Sequence, residues 1–222
     1  MAPRWTGKAV RELALEVRGE FGLSTSDVLC PYRVAEEYGV PVYSLDDLAG
    51  FGCPPEALRH FAGGGREAWS AALVPNGVGR IIVENPAHSR RRRRSNVAHE
   101  LGHLLLEHEI EGPLFTRGGC RRVDSAMRTM EREATAFCGE VLLPTKAAVG
   151  AAFAGKSDAE VARVFDVSVA FARWRMNVSG ARIIARRAAG KRIAERSATR
   201  GEAPSAALPA SPAIAYGAAM NR

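Results

Sequence analysis

The segment Val97-Ala-His99-Glu100-Leu-Gly-His103-Leu-Leu-Leu-Glu107-His108 constrains this chain more than any other. On a helix, His99 and His103 lie one turn apart on one face, so both imidazoles can reach one metal ion. Glu100 follows His99 directly and projects beside the open coordination position. There it can take a proton from water activated by the metal. Leu101, Leu104 and Leu105 supply apolar flanks, and Gly102 lets another element approach closely. The pattern predicts a helix from about Ser95 to Glu109.

Two histidines do not complete a metal site. A third histidine on the same segment would stand at position 109, with glycine at 106, but those positions hold Glu109 and Leu106. His108 falls too far round a continuous helix to share the face of His99 and His103. The other solution takes a carboxylate from a second helix. Residues Ser125 to Leu143 predict one, with Met127, Met130, Ala134, Phe137 and Val141 as its buried stripe and Pro144 at its end. Glu131 and Glu133 flank that stripe, and spacing does not choose between them. Thr135, one turn beyond Glu131, can hydrogen-bond a ligand histidine, whereas Phe137 stands in that place for Glu133. Glu131 is therefore the preferred third ligand and Glu133 the alternative.

With these residues in place, the chain resembles the ImmA/IrrE family of metallopeptidases. The resemblance rests on Arg94-Ser-Asn-Val-Ala-His-Glu-Leu-Gly-His-Leu-Leu-Leu106. It rests equally on Glu131-Arg-Glu-Ala-Thr-Ala-Phe-Cys-Gly-Glu-Val-Leu-Leu-Pro144. The turn Asn85-Pro-Ala-His88 with Arg90 to Arg94 is similar to the family's approach to the first of these helices. The likeness extends over roughly residues 8–177. It implies that His99, His103 and Glu131 bind zinc and that Glu100 is the general base. Thr135 stands where the family usually has Asn. The resemblance also implies a protein substrate, typically a helix–turn–helix (XRE-type) repressor cleaved in a stress-response or mobile-element circuit. Ligand types alone also admit manganese. A tetrahedral oxyanion would need a donor, for which His88, Tyr43 and the arginines are candidates. The expected fold is α+β: a mainly helical zincin-like metallopeptidase with a small antiparallel sheet, a C-terminal helical lobe and a disordered tail. The expected divisions are 1–150, 151–196 and 197–222.

Composition bounds the alternatives. Of 222 residues, 46% are hydrophobic and 25% charged, which fits a folded globular chain and not a fibrous or disordered one. No stretch approaches the roughly 18–20 apolar residues of a bilayer span, and no apolar leader is visible, so the expectation is a cytoplasmic protein without a membrane partner. Four widely spaced cysteines, Cys30, Cys53, Cys120 and Cys138, read as reduced thiols and form no CxxC pair. The net charge is +7, but ten bases and only two acids, Glu195 and Glu202, fall within residues 171–222. That segment carries +8 and the body is nearly neutral. Residues 157–196 have a helix–turn–helix cadence, with Ser157 and Ser168 as caps, which raises a weak DNA contact as a second possibility. A non-catalytic toxin-like or scaffold partner of a helix–turn–helix regulator is a third.

The rest of the chain predicts helices over Lys8–Phe21, Cys30–Tyr38 and Arg182–Arg196. It predicts a strand over Val40–Leu45 and a hairpin from Trp69–Val74 and Arg80–Glu84 about Asn76-Gly77. The stretch to Gly65 reads as a loop, as does Glu111 to Arg122. The run Arg90 to Arg94 reads as a solvated turn leading into the histidine helix, or as a dock for an acidic substrate. Positive charge at a helix N-terminus opposes the macrodipole and points to a compensating acid or ligand.

Overall fold

A computed structural model describes residues 5–65, 69–109, 115–116, 119–120 and 125–200. The elements in chain order are helix α1 (Gly7–Glu20), α2 (Pro31–Glu37), strand β1 (Val42–Ser44), a 3-10 turn (Asp47–Phe51), α3 (Pro55–Ala62), β2 (Ala71–Asn76) and β3 (Gly79–Glu84). They continue with α4 (Arg90–Leu105), β4 (Phe115–Thr116), β5 (Gly119–Cys120), α5 (Ser125–Leu142), α6 (Thr145–Phe153), α7 (Asp158–Val164), α8 (Val169–Val178) and α9 (Ala181–Arg200). The expected α+β architecture is observed. The tail reading falls on residues that, from 201 onward, lie outside those described. Most of the Glu111–Arg122 segment does too, apart from the short antiparallel pair β4–β5.

The sheet has the order β1-β3-β2 and is mixed. The hairpin β2–β3 is antiparallel, as its sequence predicts, whereas β1 joins β3 in parallel. The two are far enough apart in the chain to allow the crossover that parallel pairing needs. Gly77, at φ +59°, is the first of two residues between the paired Asn76 and Gly79, and glycine is favoured there because φ is positive. β2 is a sheet edge. Leu73 directs its N–H away from β3, and Pro75, two residues on, shares that outward phase, so proline removes no ladder bond.

α4 and α5 form the centre of the molecule, with α1 packed on α5 and α2 and the sheet packed on α4. Their shared core includes Val97, Ala98, Leu101, Phe137, Val141 and Leu142, all buried, with Val10, Ala14 and Val17 from α1 and Ile82 from β3. Two helices lie where loops or nothing were expected. α3 begins at Pro55, a first-turn position where proline loses no helix bond. α6 begins at Thr145, whose N–H and hydroxyl both donate to Glu140.

The arginine run is neither a solvated turn nor a free dock. It forms the first turns of α4, capped by the Ser89 hydroxyl, which accepts from Arg92 N–H. Arg90 donates to both oxygens of Asp166 at 2.7 and 2.6 Å, and Arg91 and Arg94 reach the same carboxylate at 3.3 Å. Arg93 pairs with Glu84, and Arg92 donates to Ser70 Oγ at 3.2 Å. Asp166 is thus the compensating acid, held at φ +51° in the turn between α7 and α8. Burial raises its pKa, but the hydrogen bond from Arg90 and the charges of Arg94 and Arg91 outweigh that and leave it below the ordinary value. A depressed carboxylate contributes stability that is present above its unfolded pKa and is lost as pH falls through the folded one. Asp166→Asn keeps a residue type that tolerates this backbone and is expected to cost about 1–2 kcal/mol near neutrality, discounted for the exposed Arg90 and Arg91. Melting curves of the two proteins should converge as pH falls through the folded-state Asp166 pKa, which lies below the ordinary aspartate value.

α7 and α8 start at Ser157 and Ser168, whose hydroxyls accept from Glu160 and Phe171 N–H; the first forms a capping box with Glu160. Three of the C-terminal arginines are engaged internally. Arg173 and Arg182 pair with Asp158, and Arg175 is buried against Glu140. Among the described residues no single helix is long and apolar enough to cross a membrane.

Candidate metal centre

α4 presents His99 and His103 on the face turned to α5, and α5 answers with Glu131. His99 Nε2 lies 3.1 Å from His103 Nε2 and 3.2 Å from Glu131 Oε2, and His103 Nε2 lies 3.4 Å from Glu131 Oε1. These donor atoms all fall within 4.8 Å of one another. In a tetrahedral zinc site with bonds of about 2.0–2.1 Å, neighbouring donors stand about 3.3 Å apart. Two imidazole nitrogens and a carboxylate oxygen at such separations fit a divalent metal by type and by spacing. Hydrogen bonds with His103 and His99 hold the Glu131 carboxyl far below the usual carboxylate range. Burial works against a charge on His99, yet Glu131 and Glu100 raise its pKa above the ordinary imidazole value. The cluster thus favours an ionised Glu131 carboxylate beside the two imidazoles.

Glu100 is buried at 8% exposure, and its Oε2 accepts the Leu73 N–H at 2.9 Å. The edge strand thus fixes one carboxylate oxygen. Burial raises the Glu100 pKa, against the opposing pull of His99, His103 and the Leu73 N–H.

Glu133, the alternative third ligand, is committed elsewhere. Its Oε2 lies 3.1 Å from His108 Nε2 and its Oε1 accepts the Trp5 N–H at 3.1 Å. His108 in turn places Nδ1 3.0 Å from His103 Nδ1. The expectation that His108 lies too far round assumed a helix continuing to Glu109, but α4 ends at Leu105. Glu107 takes φ +53°, His108 N–H donates to His103 C=O, and Glu107 N–H donates to Leu104 C=O. That is a Schellman termination, which turns the chain back under the helix end. Thr135, read as the partner of a ligand histidine, instead lines a groove of about 370 Å³ that leads from Glu131 between α5 and α8, with Trp174 and Val178 on its far wall.

The approach of the two helices is set by Gly102. A Cβ there would stand 3.0 Å from Ala134 O, 3.1 Å from Ala134 Cα and 3.2 Å from the Phe137 ring. Two of these neighbours are backbone atoms and cannot swing aside. Gly102→Ala is expected to cost about 1–3 kcal/mol by overpacking, offset in part by better helix propensity. It should also weaken metal binding by moving Glu131 away from the histidines, as competition with a chelator would measure.

The oxyanion candidates are not drawn to this cluster. His88 is buried, with Nε2 3.3 Å from Trp69 C=O, and Tyr43 stacks edge-on with Phe51 at the β1 side of the sheet. Among the described residues neither bonds to His99, Glu100, His103 or Glu131.

Two histidines from α4 and a carboxylate from α5 thus converge, in a mainly helical fold with a small sheet, as a donor set that could hold a metal ion. The chain belongs to the IrrE N-terminal-like domain family of peptidases (Peptidase_M78), whose family model matches residues 35–177. That bears out the family resemblance read from the sequence. No curated protein matches the chain.

Proposed function

We propose that this protein is a zinc-dependent endopeptidase that cleaves a regulatory protein, a helix–turn–helix repressor being the substrate class that the family resemblance suggests. The observation that carries the catalytic part is the convergence of His99, His103 and Glu131 within 4.8 Å, with the buried Glu100 next in sequence. Zinc in this place supplies Lewis acidity and lowers the pKa of water from about 15.7 toward 7. His99, His103 and Glu131 hold the ion. Glu100, anchored through one oxygen to Leu73, uses its carboxylate to accept a proton from the attacking water and to return it to the leaving amine. Its raised pKa brings it nearer to the working range of a base at neutral pH. The cytoplasm, where such repressors act, is the proposed location.

The test is incubation of the zinc-loaded protein, and of its Glu100→Gln variant, with helix–turn–helix regulators from the same genome, read by mass spectrometry. Discrete fragments with the native protein and none with the variant support the reading. Absence of stoichiometric metal, or equal cleavage by both, overturns it.

A second reading, a weak DNA contact through residues 157–196, has one observation in its favour. Lys156, Arg182, Arg186 and Arg192 line a groove of about 410 Å³ between α6 and α9. Duplex affinity that falls steeply with salt and disappears on replacing Arg186 and Arg192 would support it.

A further inference from the structure

A polar chain runs from the candidate metal centre to the N-terminal segment, and a metal held at one end of it would set where its protons lie. His103 directs Nε2 toward His99 and Glu131, so a metal held there would take its Nε2 lone pair and leave its proton on Nδ1. That N–H meets His108 Nδ1 at 3.0 Å, which must then accept. The proton of His108 is thereby placed on Nε2, where Glu133 Oε2 accepts it at 3.1 Å. The other Glu133 oxygen accepts the Trp5 N–H, and the Trp5 indole Nε1 donates to Leu106 C=O at 2.9 Å, just where α4 ends. With a metal on His103 Nε2 and a neutral His108, each link has one donor and one acceptor.

The chain is also enclosed and strained into place. His103, His108 and Glu133 are 5%, 7% and 9% exposed. His108 reaches its position only because Glu107 adopts a left-handed conformation in which glycine is the usual residue. Trp5 lies outside the family-matched stretch of residues 35–177.

We infer that His108 and Glu133, latched by Trp5, are positioning residues that hold His103 in the tautomer and orientation a metal requires, so that the N-terminal segment takes part in metal retention. This rests on the reading that His99, His103 and Glu131 bind the metal. Outer partners of this kind typically govern 10–100-fold in metal affinity. His108→Leu is expected to weaken zinc binding 10–100-fold, measured in the full-length protein by chelator competition, and to shift the visible spectrum of the cobalt(II) form. His108→Gln, whose amide oxygen can accept from His103 and whose amide nitrogen can donate to Glu133, should recover most of the loss. Trp5→Phe, which removes the indole donor and part of the ring but keeps the backbone N–H to Glu133, should weaken binding by less than 10-fold in the same direction.

Because the residues act in series, the double variant His108→Leu/Glu133→Leu should bind no more weakly than His108→Leu alone. Zinc affinity of His108→Leu within twofold of the native value, or additive losses in the double variant, would overturn the inference. If His108→Leu lowers the melting temperature of the metal-free protein, His108→Gln decides the matter, since it is close to histidine in volume and can keep both hydrogen bonds. Failure of the underlying reading looks different: the native protein then binds no zinc, or His99→Ala leaves its affinity unchanged.

Discussion

Glu100→Gln is expected to reduce peptide-bond cleavage by about 10²–10⁴-fold, the usual contribution of a general base, while zinc content stays at the native ratio. The two halves of this result have separate structural origins. On the proposed reading the metal donors are His99, His103 and Glu131, and position 100 is not among them. The glutamine amide oxygen can still accept the Leu73 N–H that Glu100 Oε2 accepts at 2.9 Å, so the edge of β2 stays seated. What disappears is an atom able to take a proton. Turnover of an identified substrate, beside metal analysis of both proteins, measures the two quantities independently. Loss of zinc together with activity would point to a structural part for Glu100 instead.

Arg175→Met is expected to be the most destabilising single change outside the metal centre. Arg175 is 6% exposed on α8 and donates to Leu143 C=O at 2.8 Å, to Thr145 Oγ1 at 2.9 Å and to the Glu140 carboxylate. Methionine fills much of the space but leaves Glu140 buried at 4% exposure without its main cation. Breaking a buried pair in this way costs about 3–5 kcal/mol. The lower figure applies here, because Arg11 remains 3.8 Å from Glu140 and the Thr145 N–H and hydroxyl still donate to it. A loss of about 3 kcal/mol corresponds to roughly 6–12 °C in melting temperature for a chain of this size. Replacing Glu140 by Gln at the same time should return part of the loss. A shift under 2 °C in the single variant would show that the pair contributes little to holding α8 against α5 and α6.

The features legible in the sequence were those governed by local rules. The spacing of His99 and His103, the apolar stripe of α5, the Asn-Gly hairpin and the serine caps at 157 and 168 each follow from a few neighbouring residues. The demand for an acid opposite the arginine run was legible too, though not its identity, because Asp166 lies more than seventy residues away. His108 was misplaced because a helical extrapolation cannot foresee a Schellman turn at Glu107, a residue with no special liking for positive φ. α6, with the sequence Thr-Lys-Ala-Ala-Val-Gly-Ala-Ala-Phe, has little contrast between its faces and is fixed by contacts with Glu140 and α9. The parallel placement of β1 is likewise a matter of long-range pairing, which alternation of side chains does not encode. Glu131 was preferred over Glu133 from Thr135, but Thr135 lines the groove between α5 and α8, and what distinguishes the two carboxylates in the fold is that Glu133 is taken up by His108 and Trp5.

That close crossing also works as a fulcrum. With a Cβ at Gly102 only 3.0–3.1 Å from Ala134 backbone, a rotation of α4 against α5 about that contact would be a scissor motion. His103, His99 and Glu131 lie within three residues of it, about 5 Å at 1.5 Å per residue, so a 10° swing moves them by less than about 1 Å. Arg90 lies twelve residues away, and the same swing carries it about 3 Å. The centre therefore sits on the short arm of a lever whose long arm is pinned by Asp166. Jostling of the α7–α8 turn reaches the histidines attenuated several-fold, and the geometry needed to grip an ion can persist while the far end of the helix yields.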